Sequence, residues 1–414
     1  MVLAASEPQE YTVKTTRKAF AFILMTVFLD AVGIGIIIPV IPALLLELVG
    51  GNLSNVALYG GWLMFLFAAL QFFTAPILGN LSDQFGRRPI LLVSLAAYGI
   101  DLVIMGLAPT IVWLFIGRAL SGVFGATYAV AQAYIADSAP WAQRAKGFGW
   151  LGAAYGAGFV IGPAIGGILG NSDPRLPFFV AAGLVGINVV YGIFVLPESL
   201  TPANRRKFSL RRSHAVGTLR RMFHYPVVGG LLAALVFYNI ATDANPATWT
   251  FVTIEKFDWT PFDIGLSMTF IGVFIAVFQG GAIGPMVNRI GEQRTIIIML
   301  ILSAVTYVGF AYAWAGWVMY AWMVPQALSG IAGPAINGVL SQRVAADEQG
   351  ELQGALAALR SITHSVAPLL LTGLFSYFTG PAAPWYFPGA PFLTAGLLMA
   401  ATLLMVRRAF RGAA

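Results

Sequence analysis

Three ionisable residues stand inside apolar stretches: Asp30 in Phe28-Leu-Asp-Ala-Val32, Asp101 in Tyr98-Gly-Ile-Asp-Leu102, and Arg118 in Phe115-Ile-Gly-Arg-Ala119. In a lipid environment each costs at least about 2.5–3.5 kcal/mol unless it faces a partner or a wet cavity. Such residues can exchange a proton, bind a cationic group, or form an ion pair that proton uptake breaks. Asp30 lies deep in its stretch, suited to proton acceptance or to a cation, the alternative being a carboxylate that caps a bend or bonds a neighbouring helix. Arg118 either snorkels to the nearer surface or pairs with Asp101 or Asp30. These three form the proton-coupling set. Further along, Tyr238-Asn239-Ile-Ala-Thr242-Asp243-Ala-Asn245-Pro246 is unusually polar. Asn239 and Asp243 share a helix face, where they would meet a substrate amine or pass a proton, unless Asp243 sits at a water-filled mouth. Gln279, Gln326 and Asn337 are amides that must find partners, and His364 is the one histidine outside the long polar stretch 197–224. With Asn239 and Asp243 they form the candidate substrate-binding set, and the plain alternative for His364 is a hydrogen bond to a backbone carbonyl or hydroxyl.

The elements that carry these residues follow from composition. Of 414 residues 58% are hydrophobic and only 10% charged, with a mean hydropathy of +0.79, against about 25% charged in a soluble domain. Apolar runs of membrane-spanning length occur near 19–46, 57–80, 89–108, 111–136, 147–170, 176–196, 227–251, 263–287, 294–315, 316–342, 352–378 and 389–407. Twelve spans of an all-α membrane protein are predicted. The turn between spans nine and ten is assigned to Ala315-Gly316, and Arg360 to the cytoplasmic end of span eleven. The first apolar run follows Lys14, Arg17 and Lys18 but is too long and too interrupted, by Asp30, Pro39 and Pro42, for a cleaved signal peptide. Nearly all of the 24 basic residues fall in loops on one side; Arg175 and Lys256 fall on the other and Arg118 within a span. The positive-inside rule then places both termini in the cytoplasm, in a multi-pass protein of the cell inner membrane. The basic stretch 197–224 reads as a linker between bundles 19–196 and 227–408, able to touch anionic lipid heads, with a tail at each end, 1–18 and 409–414.

The halves repeat. Ala119-Leu-Ser-Gly122 recurs as Ala327-Leu-Ser-Gly330, and Gly79-Asn-Leu-Ser-Asp83-Gln-Phe-Gly86-Arg87-Arg88 is echoed by Gly284-Pro-Met-Val-Asn-Arg-Ile-Gly291-Glu-Gln-Arg294. In the first copy the glycines permit a tight turn and Asp83 with the arginines can lock neighbouring helix ends. Asp137, at the loop end of span four, joins this gating set, as do Gly162 and Pro163, where Gly-Pro bends span five and small residues allow close helix approach.

The loop Gly79-x-x-x-Asp83-x-x-Gly86-Arg87-Arg88 resembles the signature of the major facilitator superfamily. Arg118-Ala-Leu-Ser-Gly122 and Gly158-Phe-Val-Ile-Gly162-Pro163 resemble the fourth-span and fifth-span motifs of its drug:proton antiporter branch. Leu29-Asp30-Ala-Val-Gly-Ile-Gly35, Gln71-x-x-x-Ala-Pro76, Asp101 and Phe148-Gly-Trp-Leu-Gly-Ala153, with Pro246-Ala-Thr248, Phe278-Gln279 and Gln353-Gly354, are similar to the twelve-span tetracycline-efflux antiporters and their multidrug relatives, over roughly residues 18–408. The resemblance implies two pseudo-symmetric six-helix bundles and proton-coupled export of a small amphiphilic substrate by alternating access, with Asp30, Gln71, Asp101 and Arg118 along the pathway. One departure bears on cargo. Members that export the magnesium–tetracycline chelate carry a histidine in span eight and an aspartate in span nine, and Phe274–Gln279 and Ile301–Tyr307 hold neither, which argues against that chelate.

Other classes fare poorly. There is no cysteine, no phosphate loop, and no Gly-x-Ser-x-Gly or His-Glu-x-x-His pattern, so neither an enzyme nor a primary pump is expected, and no cofactor or metal is implied. The dispersed basic residues form no nucleic-acid surface. A proton-linked importer or facilitator of a metabolite or lipid shares the signature loop and remains an alternative; a non-transport membrane protein is a more distant one. A monomer in contact with membrane lipids, protons and its substrate is expected.

Overall fold

The computed structural model describes residues 17–138, 141–208, 226–281, 283–345 and 348–411. Apart from short connections and a 3-10 turn at Pro202–Asn204, these residues are α-helical, and no strand occurs among them. Apolar side chains surround most helices on every side, leaving only intrahelical hydrogen bonds to satisfy the backbone in lipid. The first half contains α1 (Arg17–Ile37), α2 (Ile41–Val49), α3 (Leu53–Phe85), α4 (Arg87–Leu107), α5 (Ile111–Phe124), α6 (Thr127–Ser138), α7 (Trp141–Gly170) and α8 (Leu176–Val195). The second contains α9 (Pro226–Thr242), α10 (Ala244–Phe257), α11 (Pro261–Gly281), α12 (Ile283–Ile290), α13 (Glu292–Tyr312), α14 (Gly316–Ser329), α15 (Ala332–Gln342), α16 (Gln349–Thr379) and α17 (Ala390–Arg411).

Ten segments among the described residues are long and apolar enough to cross a membrane. The other two spans are divided, α9 with α10 and α14 with α15, so neither piece qualifies by itself. Spans one, four, seven and ten are each interrupted, at residues 38–40, 125–126, 243 and 330–331. Pro39 accounts for the first by lacking an N–H, and Gly125 and Gly330 for two others. The connection between spans nine and ten is residues 313–315, with Gly316 already helical, slightly before the predicted turn, because the Phe310 carbonyl accepts from the Ala313 N–H and ends α13 there.

Two six-span bundles form. In the first, α1 lies along α7, α4 along α8 and α3 along α5; in the second, α13 and α9 both lie along α17. Each has its own aromatic filling: Phe22, Tyr134 and Phe178 in one, and Trp249, Phe310 and Phe392 in the other, where the Trp249 ring sits 5.3 Å from Phe310 and 6.0 Å from Phe392. Between bundles α3 meets α16 and α7 meets α11. These contacts gather in the half of the molecule away from the Asp83–Arg88 loop. Ser54 and Thr379 hydrogen-bond at 2.6 Å, the Thr269 hydroxyl donates to the Val160 carbonyl at 3.1 Å, and Gly60 abuts Phe251. In the other half, Gly149, Gly152 and Gly156 of α7 and Gly280, Gly281 and Gly284 of span eight have open space where a Cβ would stand. The bundles therefore meet chiefly in the half away from the loop face.

Candidate transport pathway and gating corner

The loop-face corner is built around Gly86. Its φ of 111° and ψ of 158° end α3 and start α4, a region open essentially to glycine alone, and a Cβ here would strike the Glu198 carboxylate. That carboxylate accepts from the backbone N–H groups of Arg87 at 2.8 Å, Arg88 at 3.3 Å and Leu200 at 3.0 Å. It thus caps the α4 N-terminus, where unpaired N–H groups and the helix dipole favour an anion. Arg87 reaches back to Asp83 at 2.5 Å and the Ser82 hydroxyl at 2.6 Å, and across to Asp137 at 2.8 Å. Arg88 donates to the Ile193 carbonyl. The chain after span six crosses this corner, with the Arg206 N–H donating to the Asp83 carbonyl and the Phe208 N–H to Gln84. Gly79 lines the same corner half-buried, with open space where a Cβ would stand.

Deeper in the first bundle Asp101 is fully buried. Of the two carboxylates open to Arg118 from sequence, the guanidinium takes Asp101, and the Ser121 hydroxyl donates to the same oxygen at 2.5 Å. Arg118 also lies over the Phe67 ring, 5.5 Å from its centre. It does not snorkel. Gly117 supplies the room, since a Cβ there would meet Asp101. The second Asp101 oxygen, Arg118 Nε and the Tyr98 hydroxyl are buried without partners among the described residues. Asp30 is half-buried on span one, and its carboxylate makes no hydrogen bond or ion pair among the described residues. It lies within electrostatic reach of Tyr98 and Tyr155. Gln71 donates to the Gly125 carbonyl at 2.8 Å and Thr74 to the Gly122 carbonyl at 3.1 Å. These side chains of span two satisfy the carbonyls left open where span four breaks.

In the second bundle Asp243 occupies the break between α9 and α10, buried, and its Oδ1 lies 3.0 Å from His364 Nδ1 on span eleven. Neither the water-filled mouth for Asp243 nor the backbone or hydroxyl partner for His364 is found; the two meet each other. Asn239 is half-buried, its side chain without a hydrogen bond among the described residues. Gln326 is buried against the Tyr307 hydroxyl, which Asn245 approaches at 3.5 Å. Asn337 is exposed on α15, and the side chain of Gln279 lies outside the described residues.

Gly162 and Pro163 lie where span five is held between span one and span eight. A Cβ on Gly162 would come within 2.6 Å of the Val32 carbonyl oxygen, and one on Gly35 within 2.7 Å of the Pro163 ring; Pro163 in turn lies against Gly265 of α11. The contact is largely backbone on backbone.

The helix that carries span eleven begins at Gln349, a few residues before the predicted start, so Arg360 lies three turns inside α16. Glu198 was passed over as the start of a linker; the Pro-Glu after span six offered only a weak signal, and its role is visible once two distant segments meet.

Comparison with known proteins places this geometry. The model of the Major Facilitator Superfamily matches residues 23–368 and 245–413. The class C tetracycline resistance protein of Escherichia coli is 40% identical over 87% of this chain and 90% of its own length. The class G tetracycline resistance protein of Vibrio anguillarum is 36% identical over 95% of this chain and 98% of its own. Among solved structures, the nucleoside transporter NupG superposes with a TM-score of 0.75 over 95% of this chain and 99% of that one at 11% identity, a likeness of fold.

Proposed function

The chain belongs to the Major Facilitator Superfamily, and on that basis we propose that it is a proton-coupled exporter of amphiphilic small molecules, working by alternating access as a monomer. Residues 19–196 and 227–408 form the rocking bundles and 197–226 the linker. The loop face is the cytoplasmic face of the inner membrane, in accord with its basic residues and the positive-inside rule, so both termini are cytoplasmic. The gap between the bundles then faces the cytoplasm, where cargo loads. Tetracycline-resistance relatives supply the direction of transport, outward, and favour it over the importer or facilitator reading. Phe274–Gln279 and Ile301–Tyr307 lack the histidine and aspartate that the resemblance associates with a magnesium–tetracycline chelate, which favours a different amphiphile as cargo.

The observation that carries the proton step is the Asp30 carboxylate, at depth on span one without an ion pair. A lone carboxylate in a low-dielectric gap resists closure of that gap. Either a proton or a basic cargo group neutralises it, and one excludes the other. Closure toward the far face with cargo, and return with a proton, make obligatory exchange. Asp101 and Arg118 stay paired and hold spans three and four in register while the bundles rock, and Asp83, Arg87, Arg88 and Asp137 fasten the loop-face corner of the first bundle.

Inverted membrane vesicles with an imposed pH gradient, acid inside, test this with a panel of lipophilic cations, tetracyclines and neutral amphiphiles. Gradient-driven uptake is expected for wild type and a loss of more than tenfold for Asp30→Asn, which keeps substrate exchange at equal pH. Uptake that ignores the gradient and survives Asp30→Asn would leave a facilitator.

A further inference from the structure

An arginine three turns inside a membrane helix calls for a counter-charge, and Arg360 has none in hydrogen-bond or ion-pair contact among the described residues. At 1.5 Å per residue it stands about 16 Å along the 31-residue α16 from Gln349. Its side chain is exposed, with no hydrogen bond or ion pair among the described residues. The groups within its electrostatic reach are Tyr155, on α7 of the opposite bundle, and Tyr238, on α9 of its own. Arg360 shares a helix face with His364, four residues on, which meets Asp243 at the α9–α10 break, and α16 packs along α3 of the opposite bundle, so this face looks toward the gap between the bundles. One turn on, His364 is engaged with Asp243 through Nδ1, its side chain remains 44% exposed, and its Nε2 makes no hydrogen bond among the described residues.

The wall facing Arg360 is aromatic. Tyr155 stacks on Phe159, with centroids 6.3 Å apart and planes at 19°, and meets Tyr128 edge-on at 5.5 Å. Tyr155 is also the residue that Asp30 reaches from span one. The gap is thus polarised, with a bare carboxylate on the first bundle, a bare guanidinium on the second, and a flat aromatic surface between. A purely cationic amphiphile would leave Arg360 without a partner, whereas a planar anionic group would meet its fork of N–H donors in two parallel hydrogen bonds.

We propose that Arg360 is an anion-binding subsite of the gap between the bundles, so that the exported molecule is an aromatic amphiphile bearing a carboxylate or an equivalent planar oxyanion. This rests on the exporter reading above and adds the class of cargo to it. His364 Nε2 is the second polar contact for that group.

Binding, measured apart from transport, separates the two claims. Fluorescence anisotropy of detergent-purified protein is followed with a rhodamine bearing a free carboxylate and with its methyl ester. The wild type is expected to bind the acid at least tenfold more tightly than the ester. Arg360→Gln should bring the ratio to within about twofold of unity while the melting temperature holds, and Arg360→Lys should keep an intermediate preference as a point charge without the fork. Equal affinity for acid and ester in the wild type, an unchanged ratio in Arg360→Gln, or binding of neither dye would overturn the subsite. Preferential binding of the acid with no response of vesicle uptake to the pH gradient would leave the subsite standing and remove the proton coupling instead.

Discussion

The two bundles carry the same four-residue frame and fill it with different chemistry. Arg118-Ala-Leu-Ser121-Gly122 of span four corresponds to Gln326-Ala-Leu-Ser329-Gly330 of span ten. In the first, Arg118 and Ser121 both bind the buried Asp101; in the second, Gln326 lies against Tyr307 and the Ser329 hydroxyl turns back to the Gln326 carbonyl. The corners differ likewise. Gly86 and Gly291 have φ of 111° and 81°, yet Gly86 is ringed by Glu198, Arg87, Asp83 and Asp137, while at Gly291 a Cβ would meet nothing and the neighbouring Glu292 merely accepts from Gln342 at 2.9 Å. Duplication preserved the backbone requirements, the glycines and the small hydroxyl, and left charge free to diverge. Buried charge is concentrated in the bundle that bears Asp30, and the second bundle keeps a neutral version of the same joint.

The largest effect that this contrast predicts is at the ionic joint. Asp101→Ala leaves Arg118 buried and uncompensated, a destabilisation of about 3–5 kcal/mol, seen as a large fall in melting temperature by tryptophan fluorescence and as lost vesicle uptake. The double variant Asp101→Asn/Arg118→Gln, which imposes the neutral chemistry of the second bundle on the first, should recover most of the stability. Gln326→Ala should cost only about 1–3 kcal/mol, that of one buried hydrogen bond and its packing. If the double variant is no more stable than Asp101→Ala, charge is required at this joint and the two bundles are not interchangeable there.

Next in size are the glycines. Gly291→Ala should lose about 1–3 kcal/mol from backbone strain alone. Gly86→Ala should lose more, since it also expels Glu198 from the start of α4. In a Glu198→Ala background the two should converge, and a persistent gap would show that something other than the carboxylate crowds Gly86. The smallest effect is at the acids. Glu198→Gln weakens an anion at a helix N-terminus, worth about 0.3–1 kcal/mol and up to about 2 kcal/mol when partly buried; Glu292→Gln should fall within about 0.5 kcal/mol of wild type. Equal shifts in melting temperature would erase the distinction between the corners.

Much of this was legible in the chain itself. Span positions follow from long apolar runs, because lipid forces each backbone to close its own hydrogen bonds, and the positions differ from the helices by only a few residues at most ends. The loop signature and the fifth-span glycines announce close contacts because small residues at a set spacing have few other uses. What escaped depends on distance in sequence. Pro246, three residues on, signals a kink close to Asp243, but nothing there says that His364, on span eleven, will meet it. Glu198 and Arg87 are brought together only by the fold. Arg360 shows a simpler limit: a basic residue near the start of an apolar run reads as an anchor, and only the fold shows that its helix extends back to Gln349.

The glycine contact of span five sets the mechanical ratio of the molecule. Because Gly162 and Gly166 lie on the backbone of span one, and Pro163 and Gly167 on span eight, that place can turn with no side chains to disengage, much as a bare axle turns in its seat. The seat is off-centre. From Gly162 to Trp141 the helix runs about 30 Å at 1.5 Å per residue, so a swing of about 10° at the glycines moves the loop-face end by about 5 Å. From Gly162 to Gly170 it runs only about 12 Å, and the same swing moves that end by about 2 Å. A seal that parts by little on one side is thereby matched to a mouth that opens wide on the other, and one methyl group at Gly162 would wedge the axle.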